Sequence, residues 1–275
     1  MASDSSQLIV GRIPFLVCTP FFHLDLESPP LGVKFIDGPP SAQNENLAKA
    51  LVHIAPSSSF EYARHAEQYF ILPELCTGST LEIRSVTLFS RIPLTKLHQK
   101  KIHLTGQSAT SVHLLKLLLE TWRGISPIWC QGELPPDCEA RLLIGDEALG
   151  EAYAETHPYV YDLATLWQEW HGLPFVFGMW IVHQNAVNNP ELRAILADYR
   201  KHLVASVESF RANPASALHN WFATYPSKLP LAFLLRYYAV VDYQFTQEHR
   251  ESLALFYDLC AQAKLIEKAP RLRWA

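Results

Sequence analysis

Cysteine is scarce in this sequence and shows no motif spacing. The 275-residue chain has 5 cysteines, and the closest pair, Cys130 and Cys138, is separated by positions 131–137. The absence of a C-x-x-C pair argues against a zinc knuckle and against a redox-active dithiol. An odd number of widely spaced cysteines is typical of a reduced protein with buried thiols.

Long apolar runs and targeting signals are also missing. The longest uninterrupted apolar stretch covers residues 173–182, and it contains Pro174 and Gly178. This stretch is too short to span a bilayer as a helix, which needs about 20 residues. The first residues show no positive segment followed by an apolar run, so no secretory signal is predicted. We therefore expect a cytoplasmic protein with no membrane partner.

Charge of one sign is not concentrated anywhere in the chain. The 23 Lys and Arg residues and the 27 Asp and Glu residues leave a formal net charge of −4. No block of basic residues is longer than a pair such as Lys100–Lys101, so no nucleic-acid partner is predicted. The sequence contains no feature that sets an oligomeric state.

The common catalytic motifs are absent as well. The 12 histidines are spread along the chain, and none forms an H-E-x-x-H pair, so no metal site is predicted. The sequence also lacks a G-x-S-x-G elbow, a P-loop and a G-x-G-x-x-G turn. Nucleophilic hydrolysis, phosphoryl transfer and dinucleotide binding therefore have no support.

Strand-like and helix-like segments alternate over the first two thirds of the chain. Residues 101–105 predict a strand that runs through a polar turn into a leucine-rich helix over 112–122. Residues 141–144 and 147–154 repeat this arrangement. The alternation predicts an α/β fold with parallel sheets wrapped by helices. Ligand sites in such folds lie beyond the carboxyl ends of the strands.

The last ninety residues differ, because apolar residues at spacings of three and four predict amphipathic helices over 191–210 and 247–265. The inward positions predicted for these helices are Ile195, Leu196, Tyr199, Leu203 and Val207 in the first, and Leu253, Phe256, Leu259 and Ala263 in the second.

Three turns place small polar residues at the predicted start of a helix. They are Ser57-Ser58-Ser59, Ser108-Ala109-Thr110-Ser111 and Gly145-Asp146. A helix N-terminus offers free N–H groups and a partial positive charge, which favour an anion such as a carboxylate. Ser and Thr are also the preferred N-cap residues, so any one such turn indicates a cap more often than a site. Together the turns predict an anion-binding cleft.

Several longer motifs occur in register between about residue 7 and residue 183. They are GRIPFLVCTP at 11–20, APSSSFEYAR at 55–64, SVTLFS at 85–90, LTGQSATSV at 104–112 and LLIGDEAL at 142–149. This set resembles the chorismate dehydratases of menaquinone biosynthesis. The resemblance implies a two-lobed α/β fold like that of type II periplasmic binding proteins, with a ligand cleft between the lobes. Lobe I would comprise residues 1–90 together with 184–275, and lobe II residues 91–183.

The resemblance also implies a reaction: a carbon–oxygen lyase removes water from chorismate to give 3-[(1-carboxyvinyl)oxy]benzoate for the futalosine pathway. Loss of a ring proton and of the hydroxyl makes the ring aromatic, so no metal or other cofactor is expected. Ser85 is implied as the catalytic residue, with the enolpyruvyl carboxylate of the substrate as the base. The substrate-binding residues implied are Val17, Ser57, Ser58, Ser108, Ala109, Thr110 and, toward a hydroxyl of the substrate, Asp146.

One position departs from the family pattern. Val17 stands where the first motif usually carries Asn, so a hydrocarbon replaces an amide that could orient the substrate. Either Thr19 takes over, or turnover is weaker, or the chain binds a related compound. Two alternatives follow. One is the sister enzyme that acts on cyclic dehypoxanthine futalosine, whose opening motif differs from residues 12–20. The other is a non-catalytic binding module for an aromatic or dicarboxylic acid.

Overall fold

Two β-sheets organise the chain, and helices pack around each of them. The computed structural model describes residues 7–275. The strands are β1 Leu8–Arg12, β2 Val33–Asp37, β3 Ile54–Ser58, β4 Tyr69–Ser79, β5 Val86–Ser90, β6 Lys101–His103, β7 Ile128–Cys130, β8 Ala140–Ile144, β9 Tyr159–Asp162, β10 Phe175–His183 and β11 Asp242–Gln244. The first sheet has the order β11-β4-β10-β3-β1-β2, and the second has the order β7-β6-β8-β5-β9.

The α-helices of the described residues cover the sheets and form the C-terminal third. They are α1 Thr19–Glu27, α2 Pro40–Ala48, α3 Ser59–Arg64, α4 Ala109–Lys116, α5 Gly145–Ala154, α6 Leu163–His171, α7 Gln184–Asn188, α8 Pro190–Ala212, α9 Pro214–Thr224, α10 Leu231–Tyr238 and α11 Gln247–Gln262. A π-helical turn, Leu117–Trp122, extends α4. Within residues 7–275, no helix combines the length and the apolar character that crossing a membrane requires.

The two amphipathic helices predicted near the C-terminus are present as α8 and α11. Asn189 caps α8 by accepting hydrogen bonds from the N–H groups of Glu191 and Leu192, at 2.9 and 3.2 Å. The buried stripe of α8 includes four of the five predicted residues, whereas Ile195 is half-buried. In α11 the stripe turns toward Tyr257 and Cys260, which are buried in place of the predicted Leu259 and Ala263. Positions 253, 256, 257 and 260 follow the same helical spacing, so the helix type was right although its buried face was displaced.

The parallel sheets expected from the alternation of strands and helices are in fact mixed. β1 pairs in parallel with β2 and β3, but β10 is antiparallel to β3 and β4. In the second sheet β5 is antiparallel to β8 and β9. The expectation considered only strand–helix–strand units, which force parallel pairing. β5 and β10 are the first strands that follow the connections between the two sheets, and they are not part of such units. The direction in which the chain enters each sheet therefore sets whether these strands pair in parallel or antiparallel.

The chain crosses between the sheets twice. It leaves the first sheet after Ser79 and enters the second at Val86, and it returns between His171 and Phe175. β5 therefore belongs to the second sheet and β10 to the first. We propose that the lobe boundaries lie in these two crossings, instead of after residues 90 and 183.

Candidate active site

A cavity of about 100 Å³ lies between the two sheets. Its walls come from residues 13, 15, 17, 18, 40, 56–58, 77, 177 and 178 on the side of the first sheet, and from residues 83, 85, 86, 108, 111, 144 and 145 on the side of the second. None of the described residues that line it carries a formal charge, and its hydroxyl groups belong to Ser57, Ser58, Thr77, Ser85, Ser108 and Ser111. An anionic guest would therefore be held by hydroxyl and backbone N–H groups. The Cys18 thiol also lines the cavity, and burial raises its pKa, so it stays neutral and unreactive.

Ser57 and Ser58 end β3 and line the cavity from the first sheet. Ser58 is the N-cap of α3 and accepts a hydrogen bond from Glu61 N at 3.3 Å. The Oγ atom of Ser57 is buried and has no hydrogen-bond partner among the described residues. A buried hydroxyl that is left unpaired costs free energy. Ser57 is thus the clearest candidate for a direct hydrogen bond to a guest.

Ser108 and Ser111 line the opposite wall at the start of α4. Ser108 caps the helix by accepting a hydrogen bond from Ser111 N at 3.2 Å, and the two hydroxyl oxygens lie 2.9 Å apart. Residues three apart on a helix share a face, which explains why both serines reach the cavity. The sequence placed Ser111 in this turn without assigning it a role. The spacing from the cap was the signal that could have identified it.

Ser85 lies immediately before β5, and only 4% of it is exposed. Its Oγ accepts a hydrogen bond from Tyr237 Oη in α10 at 3.1 Å. The preceding turn is held by Asp162, whose Oδ2 accepts from Ile83 N at 3.0 Å and from Arg84 N at 2.6 Å. Arg84 has a φ of 59°, which a residue with a side chain rarely adopts, so these bonds stabilise an unusual turn. Burial raises the pKa of Asp162 to about 6, against the opposing effect of its N–H donors.

Sequence reasoning missed Asp162 and Tyr237. Asp162 had a recognisable signal, since Asp immediately before a predicted helix is a typical N-cap, and its Oδ1 does accept from Ala164 N and Thr165 N at the start of α6. Tyr237 had none. It lies far from Ser85 in sequence, and no local pattern indicates that the two hydroxyls meet.

Val17 lines the cavity from the short 3-10 helix that precedes α1. Its carbonyl oxygen accepts a hydrogen bond from Tyr243 Oη at 2.9 Å, and that of Leu16 accepts one from Tyr238 Oη at 2.6 Å. These bonds fix the backbone of residues 16 and 17, and the side chain of Val17 forms an apolar part of the cavity wall. Thr19 is fully buried at the start of α1 and is not among the residues that line the cavity.

Thr110 and Ala109 were expected to hold a carboxylate, but the structure places both outside the cavity. Thr110 Oγ1 accepts a hydrogen bond from Phe60 N at 2.9 Å and lies 3.2 Å from Ser59 Oγ. The hydroxyl thereby joins α4 to α3 across the two halves of the molecule, and it is fully buried in doing so. Ala109 lines a separate groove beside the cavity. Ser57 and Thr110 thus lie on neighbouring elements, but only Ser57 lines the shared cavity.

Asp146 was expected to meet a hydroxyl of the substrate; it is not among the residues that line the cavity, and its carboxylate contacts the facing loop. It is in the first turn of α5, and its Oδ1 accepts a hydrogen bond from Leu16 N at 3.0 Å. The residue before it, Gly145, has a φ of +60°, and a Cβ there would lie 2.8 Å from Cδ2 of Phe15. Glycine therefore lets the start of α5 approach the loop closely enough for Asp146 to bond to it.

The surroundings of Asp146 predict a pH-dependent stability. Burial raises the pKa of Asp146 from 3.8 to about 6, while the bond from Leu16 N lowers it. An acid whose pKa is higher in the folded state stabilises the fold below its unfolded pKa, and that contribution is lost as the pH rises to about 6. Asp146 is exposed to solvent, so we expect an effect of no more than about 1 kcal/mol.

Asp146→Asn keeps an oxygen for Leu16 N but carries no charge at any pH. The variant should therefore be more stable than the wild type at pH 7.5, and the difference should shrink toward pH 4.5. Urea unfolding of both proteins across this range measures it. A stability difference that does not change with pH would contradict the assignment of the ionised carboxylate as the cause.

Two sheets that the chain crosses twice, with a cavity between them, are the architecture of the periplasmic-binding-protein-like fold. A solved structure from Archaeoglobus fulgidus superposes with a TM-score of 0.74 at 20% identity, covering 96% of this chain and 100% of that one. A Candida albicans protein described as having the generic periplasmic binding protein fold gives a TM-score of 0.67 at 11% identity, covering 95% and 91%. These similarities confirm the two-lobed α/β fold predicted from the sequence.

Sequence comparison identifies the family. The profile of the family described as menaquinone biosynthesis matches residues 8–262. A chorismate dehydratase from Thermus thermophilus is 32% identical in an alignment of 214 residues that covers 70% of this chain and 75% of that protein. The chain therefore belongs to the menaquinone biosynthesis family, as the motifs between residues 7 and 183 predicted.

Proposed function

We propose that the protein is a chorismate dehydratase, a carbon–oxygen lyase that converts chorismate to 3-[(1-carboxyvinyl)oxy]benzoate and water for menaquinone biosynthesis. The family membership and the 32% identical relative support this activity. The observation that carries it is the convergence of Ser57, Ser58, Ser85 and Ser108 from two sheets on one cavity. A biosynthetic activity of this kind supports the cytoplasmic location that was expected from the sequence.

The lining of the cavity offers contacts for a guest with two carboxylates and a carbocyclic ring. Its apolar walls, formed in part by Val17, Ile83 and Phe177, would contact the ring. The hydroxyls of Ser57 and Ser58 on one wall and of Ser108 on the other would take the carboxylates. The start of α4 adds a partial positive charge on the second wall. Because a buried charge needs compensating hydrogen bonds, this arrangement favours a guest whose charged groups lie at opposite ends.

For the elimination, the protein needs only to orient the substrate and to supply one hydrogen bond. A ring C–H bond and the C–O bond to the hydroxyl break, the electron pair of the C–H bond enters the ring, and the hydroxyl leaves as water with the released proton. The enolpyruvyl carboxylate of the substrate would accept that proton from the ring and pass it to the leaving hydroxyl. Ser85 would stabilise an oxygen that gains charge as the bonds break, because a preorganised donor in a dry site lowers the barrier.

Incubation of the purified protein with chorismate tests the proposal. We expect the diene absorbance of chorismate to fall, and mass spectrometry to find a product lighter by one water molecule. No turnover under conditions in which the Thermus thermophilus enzyme is active would overturn the assignment.

The apolar side chain of Val17 is the observation that favours the alternative of a binding module, because it removes a polar group from the cavity wall. Tight binding of chorismate without turnover would support that alternative. Turnover of cyclic dehypoxanthine futalosine, with chorismate unchanged, would support the sister enzyme of the pathway.

A further inference from the structure

Three tyrosines from the C-terminal third of the chain donate hydrogen bonds to residues in the cavity wall or next to it. Tyr238 and Tyr243 donate to backbone carbonyls, those of Leu16 and Val17. Tyr237 differs, because its hydroxyl donates to the side chain of Ser85 at 3.1 Å. Tyr237 is fully buried and does not line the cavity itself, so any effect it has on a guest passes through Ser85.

We propose that Tyr237 is a positioning residue that directs the Ser85 hydroxyl to act as a hydrogen-bond donor toward the guest. A serine hydroxyl has one proton and two acceptor lone pairs. The bond from Tyr237 occupies one lone pair, so the proton of Ser85 points elsewhere. Ser85 is 4% exposed and lines the cavity. The Ser85 hydroxyl can therefore donate its proton to an oxygen atom of a guest in the cavity.

The same hydrogen bond sets the chemical character of Ser85. A hydroxyl that accepts a hydrogen bond becomes a better donor and a weaker base, because the bonds in a chain polarise one another. Burial raises the pKa of the Tyr237 phenol, so the phenol keeps the proton that it donates to Ser85. Ser85 therefore keeps its own proton throughout and stabilises negative charge that develops on an oxygen of the guest. It does not abstract the ring proton.

This inference rests on the proposed function, and a double-mutant cycle tests it. Tyr237→Phe removes one buried hydroxyl and keeps the ring, so the fold should persist. We expect kcat for chorismate to fall about 10-fold, with KM close to the wild-type value. In a Ser85→Ala background the same change should have no further effect on kcat, because the group that Tyr237 positions is gone.

Tyr238→Phe provides the matched control, since it removes the neighbouring phenol, which bonds to Leu16 and not to Ser85. Whatever the size of its effect on kcat, the double variant with Ser85→Ala should show the product of the two single fold-changes. A Tyr237→Phe effect that also multiplies, or wild-type kinetics in that variant, would overturn the inference while leaving the proposed function in place. If Tyr237→Phe did not fold, 3-fluorotyrosine at position 237 would replace it as the test. The stronger donor should then change kcat, and an unchanged kcat would count against the inference.

Absence of turnover by the wild-type protein would overturn the proposed function separately. Calorimetry would then measure the chorismate affinity of the same four proteins, and the coupling between the two substitutions would test the inference. Coupling between Tyr237→Phe and Ser85→Ala would support it, and independent effects would refute it.

Discussion

Ser85→Ala should lower kcat for chorismate about 100-fold, the usual loss when one preorganised donor is removed from the site of developing charge. The backbone contacts of the residue persist, including the bond from Gly145 N to its carbonyl oxygen at 2.7 Å. The Tyr237 hydroxyl loses its acceptor inside the protein, so we expect the variant to be less stable by about 1–3 kcal/mol but still folded. Steady-state kinetics and thermal unfolding measure the two effects separately.

Ser90→Ala is the matched control for that experiment. Ser90 ends β5, the strand that Ser85 precedes, and is also buried, but its hydroxyl donates to Ile92 O at 2.7 Å and does not line the cavity. This variant should lose stability while its kcat stays near the wild-type value. Wild-type kinetics in Ser85→Ala would show that the serine has no part in the reaction.

Ser57→Ala should weaken chorismate binding about 10- to 100-fold, because the hydroxyl would donate to a carboxylate and such bonds contribute about 1.5–3 kcal/mol. The stability of the protein should not fall, since Ser57 Oγ has no hydrogen-bond partner among the described residues and its loss removes an unpaired buried group. Calorimetric titration in a Ser85→Ala background prevents turnover during the measurement.

The third serine of the same turn should behave in the opposite way. Ser59 Oγ donates to Val176 O at 2.8 Å and meets Thr110 Oγ1 at 3.2 Å, away from the cavity. Ser59→Ala should therefore lower the free energy of unfolding by about 1–3 kcal/mol and leave chorismate affinity near the wild-type value. If Ser57→Ala instead lost stability and kept its affinity, the cavity would not be the binding site.

Local patterns determined most of the secondary structure and the location of the serine-rich turns. The spacing of apolar residues predicted α8 and α11, and the helix starts at the two serine-rich turns around Ser57 and Ser108 were found where expected. The sequence did not predict β4, Tyr69–Ser79. That strand contains Pro73 and Gly78, which normally argue against a strand interior, and pairing with β10 and β11 outweighs this preference.

The sequence by itself determined the fold class, the family and the small set of hydroxyls from which the cavity is built. The tertiary structure decided which of them are free for a guest. Ser57 and Ser59 are neighbours in one turn, yet one lines the cavity and the other bonds to Val176. Helix and strand signals come from residues a few positions apart, whereas the partner of a side chain depends on segments that meet only after packing. Tyr237 and Ser85 lie 152 positions apart in sequence, and only the folded chain brings their hydroxyls together.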